Sequence, residues 1–142
     1  MELDEVLSSA AINGVAIQTA ASNGQLDILK ELLSVSTDIH VNTHALQGAA
    51  ENGHVECVRQ LIPASDPKEN DSLSLQWAAY NGHVECVRLL MPVSDPEAAK
   101  KSLERADYAH GAIALIDDVV QMEAMSMKHL ANGSMKPNRV NI

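Results

Sequence analysis

The chain contains no phenylalanine, one tryptophan and two tyrosines in 142 residues. With so little aromatic bulk, the core has to be filled by Ala, Leu, Ile and Val, and small unbranched side chains at that density favour closely packed helices. Base is scarce as well: ten Lys and Arg stand against 19 Asp and Glu, for a formal charge of −9. That balance argues against an affinity for nucleic acid or an anionic membrane surface. No run approaches the ~20 apolar residues that a membrane helix needs. The start, MELDEV, lacks the basic and apolar segments of a secretory signal. Two cysteines without such a signal fit free thiols in a reducing, cytoplasmic setting.

What is present is periodicity. The octamer NGHVECVR occurs at 52–59 and again at 81–88. Aligned on an alanine pair and Asn-Gly, three segments begin at Ala20 (AASNGQLDILKELL), Ala49 (AAENGHVECVRQLI) and Ala78 (AAYNGHVECVRLLM), 29 residues apart each time. A further step lands on Gly111, followed by AIALIDDVV with the same apolar positions. Residues 49–67 and 78–96 differ at only four places. A recurrence of this kind is the signature of a repeat protein, in which each unit buries its apolar face against its neighbours.

Each unit reads as two antiparallel helices. The first ends at Asn-Gly, where glycine takes the left-handed conformation that closes a helix. The second keeps Val55, Cys57, Val58, Leu61 and Ile62 on one face and Glu56, Arg59 and Gln60 in water, which is helical spacing. Pro63 and Pro92 stop it. The SDP that follows, Ser65–Pro67 and Ser94–Pro96, starts the next helix, with Asp66 and Asp95 as caps. The first helix of the third unit is accordingly expected from about Pro67 to Tyr80. The chain is thus expected to be one repeat domain over 1–131. It has an N-terminal cap helix in 1–14, closed by Asn13-Gly14, and units at about 15–36, 37–65, 66–94 and 95–131. The last unit diverges, its second helix continues to about Leu130, and 132–142 forms a flexible tail.

His54, Cys57, His83 and Cys86 could in isolation be four ligands for zinc. Equivalent residues in stacked units lie about 8–10 Å apart, whereas zinc ligands crowd within ~2.0–2.3 Å of the metal. Cysteine also takes the apolar position filled by Ile28 and Leu115, so it reads as a small hydrophobe. No metal or other cofactor is expected, and no catalytic residue. Asp117-Asp118 reads as a solvated patch.

The string LQWAAYNGHVECVRLLM resembles the ankyrin repeat, with its Ala-Ala segment, two variable residues, Gly-His and a leucine-terminated helix. The likeness covers about residues 15–121. Ankyrin units are about 33 residues long and carry a Thr-Pro-Leu-His start and a connecting β-hairpin, whereas this chain has 29-residue units, Leu73–Gln76 for the first motif and SDP for the second. The resemblance implies an all-α, ankyrin-like solenoid of stacked helix pairs with few or no hairpins. It also implies that His54 and His83 tie one unit's backbone to the next. Partner contacts fall on the first helices and the residues before Gly-His: Ser22, Asn23, Gln47, Gly48, Glu51, Asn52, Gln76, Trp77, Tyr80 and Asn81.

The two near-identical units differ where Gly48 becomes Trp77 and Glu51 becomes Tyr80, and Trp and Tyr are favoured interface anchors. Trp77 either fills the core between units or anchors such an interface, and Leu89 marks a second patch on the outer helices. The expected function is non-enzymatic: binding, and blocking or regulating, another protein, one with a basic surface given the acid-rich first 58 residues. A small microbial or viral inhibitor or effector would act this way. A self-assembling homo-oligomer is the alternative, and an enzyme using His/Cys chemistry a more distant one.

Overall fold

The computed structural model describes residues 14–35, 38–106 and 109–133, with side chains as far as Ser126. All regular structure in these residues is helical: α1 (14–23), α2 (Leu26–Leu33), α3 (Ile39–Asn52), α4 (Val55–Leu61), α5 (Glu69–Tyr80), α6 (Val84–Leu90), α7 (Pro96–Glu104) and α8 (His110–Gly133). The first helices α3, α5 and α7 pack side by side in one row, and α2, α4, α6 and α8 form a second row behind them. This is the all-α solenoid of helix pairs. Among the described residues no strand intervenes: short 3-10 turns, Ile62–Ala64 and Met91–Val93, carry Pro63 and Pro92 and end α4 and α6.

The core follows the 29-residue period rung by rung. Ile17, Leu46 and Leu75 are fully buried on successive first helices, and Leu29, Val58, Val87 and Ile116 on successive second helices. Each such side chain contributes about 1.5–3 kcal/mol by leaving water. The alanine pairs Ala20/Ala21, Ala49/Ala50 and Ala78/Ala79 are buried between rows, where their size sets the close approach.

Helix ends are made the same way three times. Gly24, Gly53 and Gly82 have φ of 74°, 75° and 74°. The residue after each sends its N–H back to the first alanine: Gln25 to Ala20 at 2.8 Å, His54 to Ala49 and His83 to Ala78 at 2.9 Å. These are six-to-one bonds that satisfy carbonyls the helix would otherwise leave open. Asn52 and Asn81 add side-chain bonds to the carbonyls of Gly48 and Trp77, each at 2.9 Å.

Two further bonds join successive units. His54 Nε2 donates to the carbonyl of Ser22 and His83 Nε2 to that of Glu51, both at 3.0 Å. The imidazoles reach this position by lying over the preceding glycines, so that a Cβ on Gly24 or Gly53 would stand 2.7 or 2.6 Å from the histidine Nδ1. At the other end of the first helices, Thr43 Oγ1 accepts from the backbone N–H of Asp66 at 2.9 Å, and Ser72 Oγ from that of Asp95 at 2.8 Å. The fourth unit has Ala112 where histidine would fall, and no described residue stands within 4 Å of a Cβ on Gly82.

Several expectations are corrected. Helix α5 does not run smoothly from Pro67: Asn70, Asp71 and Ser72 take left-handed backbone with φ of 56°, 57° and 59°. Asp66 caps only the turn ahead of them, accepting from Lys68 N–H, whereas Asp95 caps α7 through Ala98 N–H at 3.1 Å. Gly14 is helical and faces Val41. Gly111 lies inside α8, which continues to Gly133, past Leu130 and into the expected tail. Asp117 is half-buried and, with Glu97, holds Lys100 Nζ at 3.0 Å, tying α8 to α7. The hydrogen bond that Lys100 donates to Asp117, and then that to Glu97, raises its pKa. The expected cap over 3–12 and the chain beyond 133 lie outside the described residues.

Gly53 and Gly82 share a φ but differ in what lies over them, which separates backbone strain from steric contact. Gly82→Ala is expected to cost about 1 kcal/mol, the left-handed penalty alone. Gly53→Ala should cost about 1 kcal/mol or more beyond that, because His83 must be displaced and its hydrogen bond lost. Urea unfolding of both variants checks this, and equal losses would contradict the histidine contact.

Candidate protein-binding face

Helix α7 stops at Glu104, whereas the 29-residue register would carry a helix like α5 on to 109. Among the described residues, Ala106 and Ala109 lie opposite the flank of α5 there. The result is a groove of about 340 Å³ between Leu73, Gln76, Trp77 and Tyr80 on one side and Ser102, Leu103, Ala106 and Ala109 on the other. Trp77 is half-buried and Tyr80 is 47% exposed. Their rings meet edge to face, with centroids 6.2 Å apart and planes at 86°, an arrangement that the ring quadrupoles favour. Trp77 is thus both packing and surface: it holds Tyr80 in place and walls the groove.

The other positions assigned to the face separate into two groups. Asn23, Glu51, Asn52 and Asn81 are exposed along the ends of the first helices. Ser22 is half-buried, its carbonyl taken by His54, and its Oγ stands where a Cβ on Gly48 would have to go. Gly48 is therefore a packing position that lets α1 and α3 approach.

Gln47 and Gln76 are corrections to the expected exposed contacts, being only 9% and 8% accessible. Gln47 Nε2 is buried without a hydrogen-bond partner among the described residues. Gln76 turns inward because its Nε2 donates to the carbonyls of Asp71 at 2.9 Å and Asn70 at 3.4 Å, holding the left-handed turn. Sequence reasoning missed that bracing role, since nothing in SDPKENDS announces a reversed turn. Leu89 is half-buried and packs onto the core, so it adds little to an outer patch.

The repeated histidines and cysteines do not converge. The imidazoles face the preceding unit's carbonyls, while Cys57 and Cys86 are buried with their apolar rungs. Burial, and then Glu56, raises the Cys57 pKa; burial, and then Glu85, pushes that of Cys86 up to about 11. This is opposite to the lowered value a nucleophilic or metal-binding thiolate requires. Among the described residues no three His, Cys, Asp or Glu side chains are grouped to hold a metal. No described helix is long and apolar enough to cross a membrane.

A stack of helix pairs that presents exposed side chains along one row forms an extended surface. Residues 17–102 match the family model for ankyrin repeats, in three copies. The chain belongs to the ankyrin-repeat family, whose repeats are protein–protein interaction modules. Neither the curated proteins nor the solved structures returned a match to this chain.

The thiols give a direct check on the chemistry of the repeat. Raising the Cys86 pKa from 9.0 to about 11 cuts its thiolate on the order of 100-fold. Alkylation by iodoacetamide at pH 8, followed by mass spectrometry, should be slower in the folded than in the unfolded chain by at least that factor. The folded state also keeps this proton to higher pH than the unfolded state, so stability present below about pH 9 declines as pH rises towards 11. Rapid alkylation of the folded chain would contradict the burial.

Proposed function

We propose that this chain binds another protein through the row of first helices, with the groove at Trp77 and Tyr80 as the centre of the contact. The observation that carries this reading is an exposed tyrosine held by the chain's only tryptophan at the edge of an open groove. Large, rigid aromatic side chains in such a setting supply much area for little lost freedom, and they dominate measured interface energies. Glu51, Asn52, Asn81 and Asn23 form the polar border.

On this reading the protein acts by occupying a partner's surface, as a non-enzymatic regulator in the cytoplasm. Self-assembly is the second reading. It is favoured by the exposed Met122 and Met125, three residues apart on one face of α8.

Tyr80→Ala is expected to lower retention of the bound partner at least about tenfold, with the thermal midpoint unchanged, since the ring is largely outside the core. The partner is first isolated from the source cell on the immobilised chain and identified by mass spectrometry. Unchanged retention, or a collapsed midpoint, would defeat the assignment.

A further inference from the structure

We infer that Asn23 is a modification site: its carboxamide cyclises onto the Gly24 nitrogen and is slowly converted to aspartate and isoaspartate. This modification needs no partner, although it alters a residue of the proposed binding face. Asn-Gly is the step at which such ring closure is least hindered, because glycine puts no side chain in the way of the attacking nitrogen. The chain has five such steps, at 13–14, 23–24, 52–53, 81–82 and 132–133. Asn23, Asn52 and Asn81 stand exposed where first helices close. Asn13 and the side chain of Asn132 lie outside the described residues.

The three closures share one backbone. Gly24, Gly53 and Gly82 have φ of 74°, 75° and 74°, and their N–H groups donate to the carbonyls of Ala21, Ala50 and Ala79 at 3.3, 3.3 and 3.1 Å. What separates them is the asparagine side chain. Nδ2 of Asn52 donates to the Gly48 carbonyl and that of Asn81 to the Trp77 carbonyl, both at 2.9 Å. Each bond reaches back one turn along the helix, away from the glycine, and has to break before the ring can close. Asn23 makes no corresponding bond to Thr19. The overlying imidazole does not separate Asn23 from Asn52, since His54 lies over Gly24 as His83 lies over Gly53.

Ring closure also needs the Gly24 N–H to leave its bond to Ala21, at a helix end where local opening is easy. The deprotonated nitrogen bonds to Cγ of Asn23, the Cγ–Nδ2 bond breaks, and Nδ2 takes up a proton and departs as ammonia. Water then adds to either carbonyl of the cyclic imide, giving aspartate or isoaspartate. Water is consumed, ammonia is released, and nothing is oxidised or reduced. The product puts a carboxylate at the C-terminal end of α1, where the helix dipole disfavours negative charge. The isoaspartate form also lengthens the backbone between Gly24 and Ser22, whose carbonyl His54 holds. The first described unit thus carries a slow, one-way change of charge and of helix closure.

The test is to incubate the full chain in mildly alkaline buffer, folded and separately unfolded in guanidinium chloride, and to follow aspartate and isoaspartate at each asparagine by peptide mass spectrometry. In the folded chain Asn23 should convert about 2- to 10-fold faster than Asn52 or Asn81, the factor that one hydrogen bond supplies. In guanidinium the three rates should draw together, since each is then an Asn-Gly pair without its helix. Equal rates in the folded chain, or no product at Asn23, would overturn the assignment. A lead for Asn23 that persists undiminished in guanidinium would overturn it too, because the cause would then be sequence and not the missing bond.

Discussion

The contact on which the rest of the stack depends is an imidazole lying on the glycine of the preceding unit. His83 can donate to Glu51 only because Gly53 has no side chain, and Gly53 has none because the helix before it must close in left-handed backbone. One position therefore ends a helix, sets the spacing between units and fixes the direction in which the next helix departs. The alanine pairs then meet at the distance this spacing allows, and the rungs of Leu, Val and Ile fill behind them. Side chains just before the glycine, Glu51 and Tyr80, are left projecting in a row. Where the tie is missing, at the step into the fourth unit, no described residue covers Gly82 and α7 ends at Glu104.

Much of this was legible because repetition is a strong signal. The 29-residue interval, the Asn-Gly closers and the apolar stripe at Val55, Cys57, Val58 and Leu61 locate the helix pairs without reference to structure. The family resemblance added the histidine link. The tie from Thr43 and Ser72 to the start of the following helix was also present in the sequence, as two hydroxyl residues 29 apart facing two aspartates 29 apart, but a hydroxyl in a helix has many uses and gave no direction. The exposed members of the face were legible from position, whereas the inward turn of Gln47 and Gln76 was not, because glutamine has polar character whichever way it points.

The left-handed turn at Asn70–Ser72 lay outside reach for a sharper reason. SDP precedes both α5 and α7, yet only the third unit reverses its backbone. Three such residues cost on the order of 1–2 kcal/mol each for ordinary side chains, less for Asn and Asp, which tolerate this conformation. The offsetting bonds come from distant residues: Gln76 from the next two turns of its own helix, and Asp95 from the following unit. Strain held by its surroundings in this way is characteristic of functional regions, and here it borders the groove.

A short solenoid with an aromatic groove on one face and exposed methionines on its last helix could use either surface to meet copies of itself. We assign the groove to a different protein. Sedimentation equilibrium over a wide range of concentrations tests that claim most directly, and the mass of one chain is predicted throughout. A concentration-dependent dimer that Tyr80→Ala abolishes would contradict it.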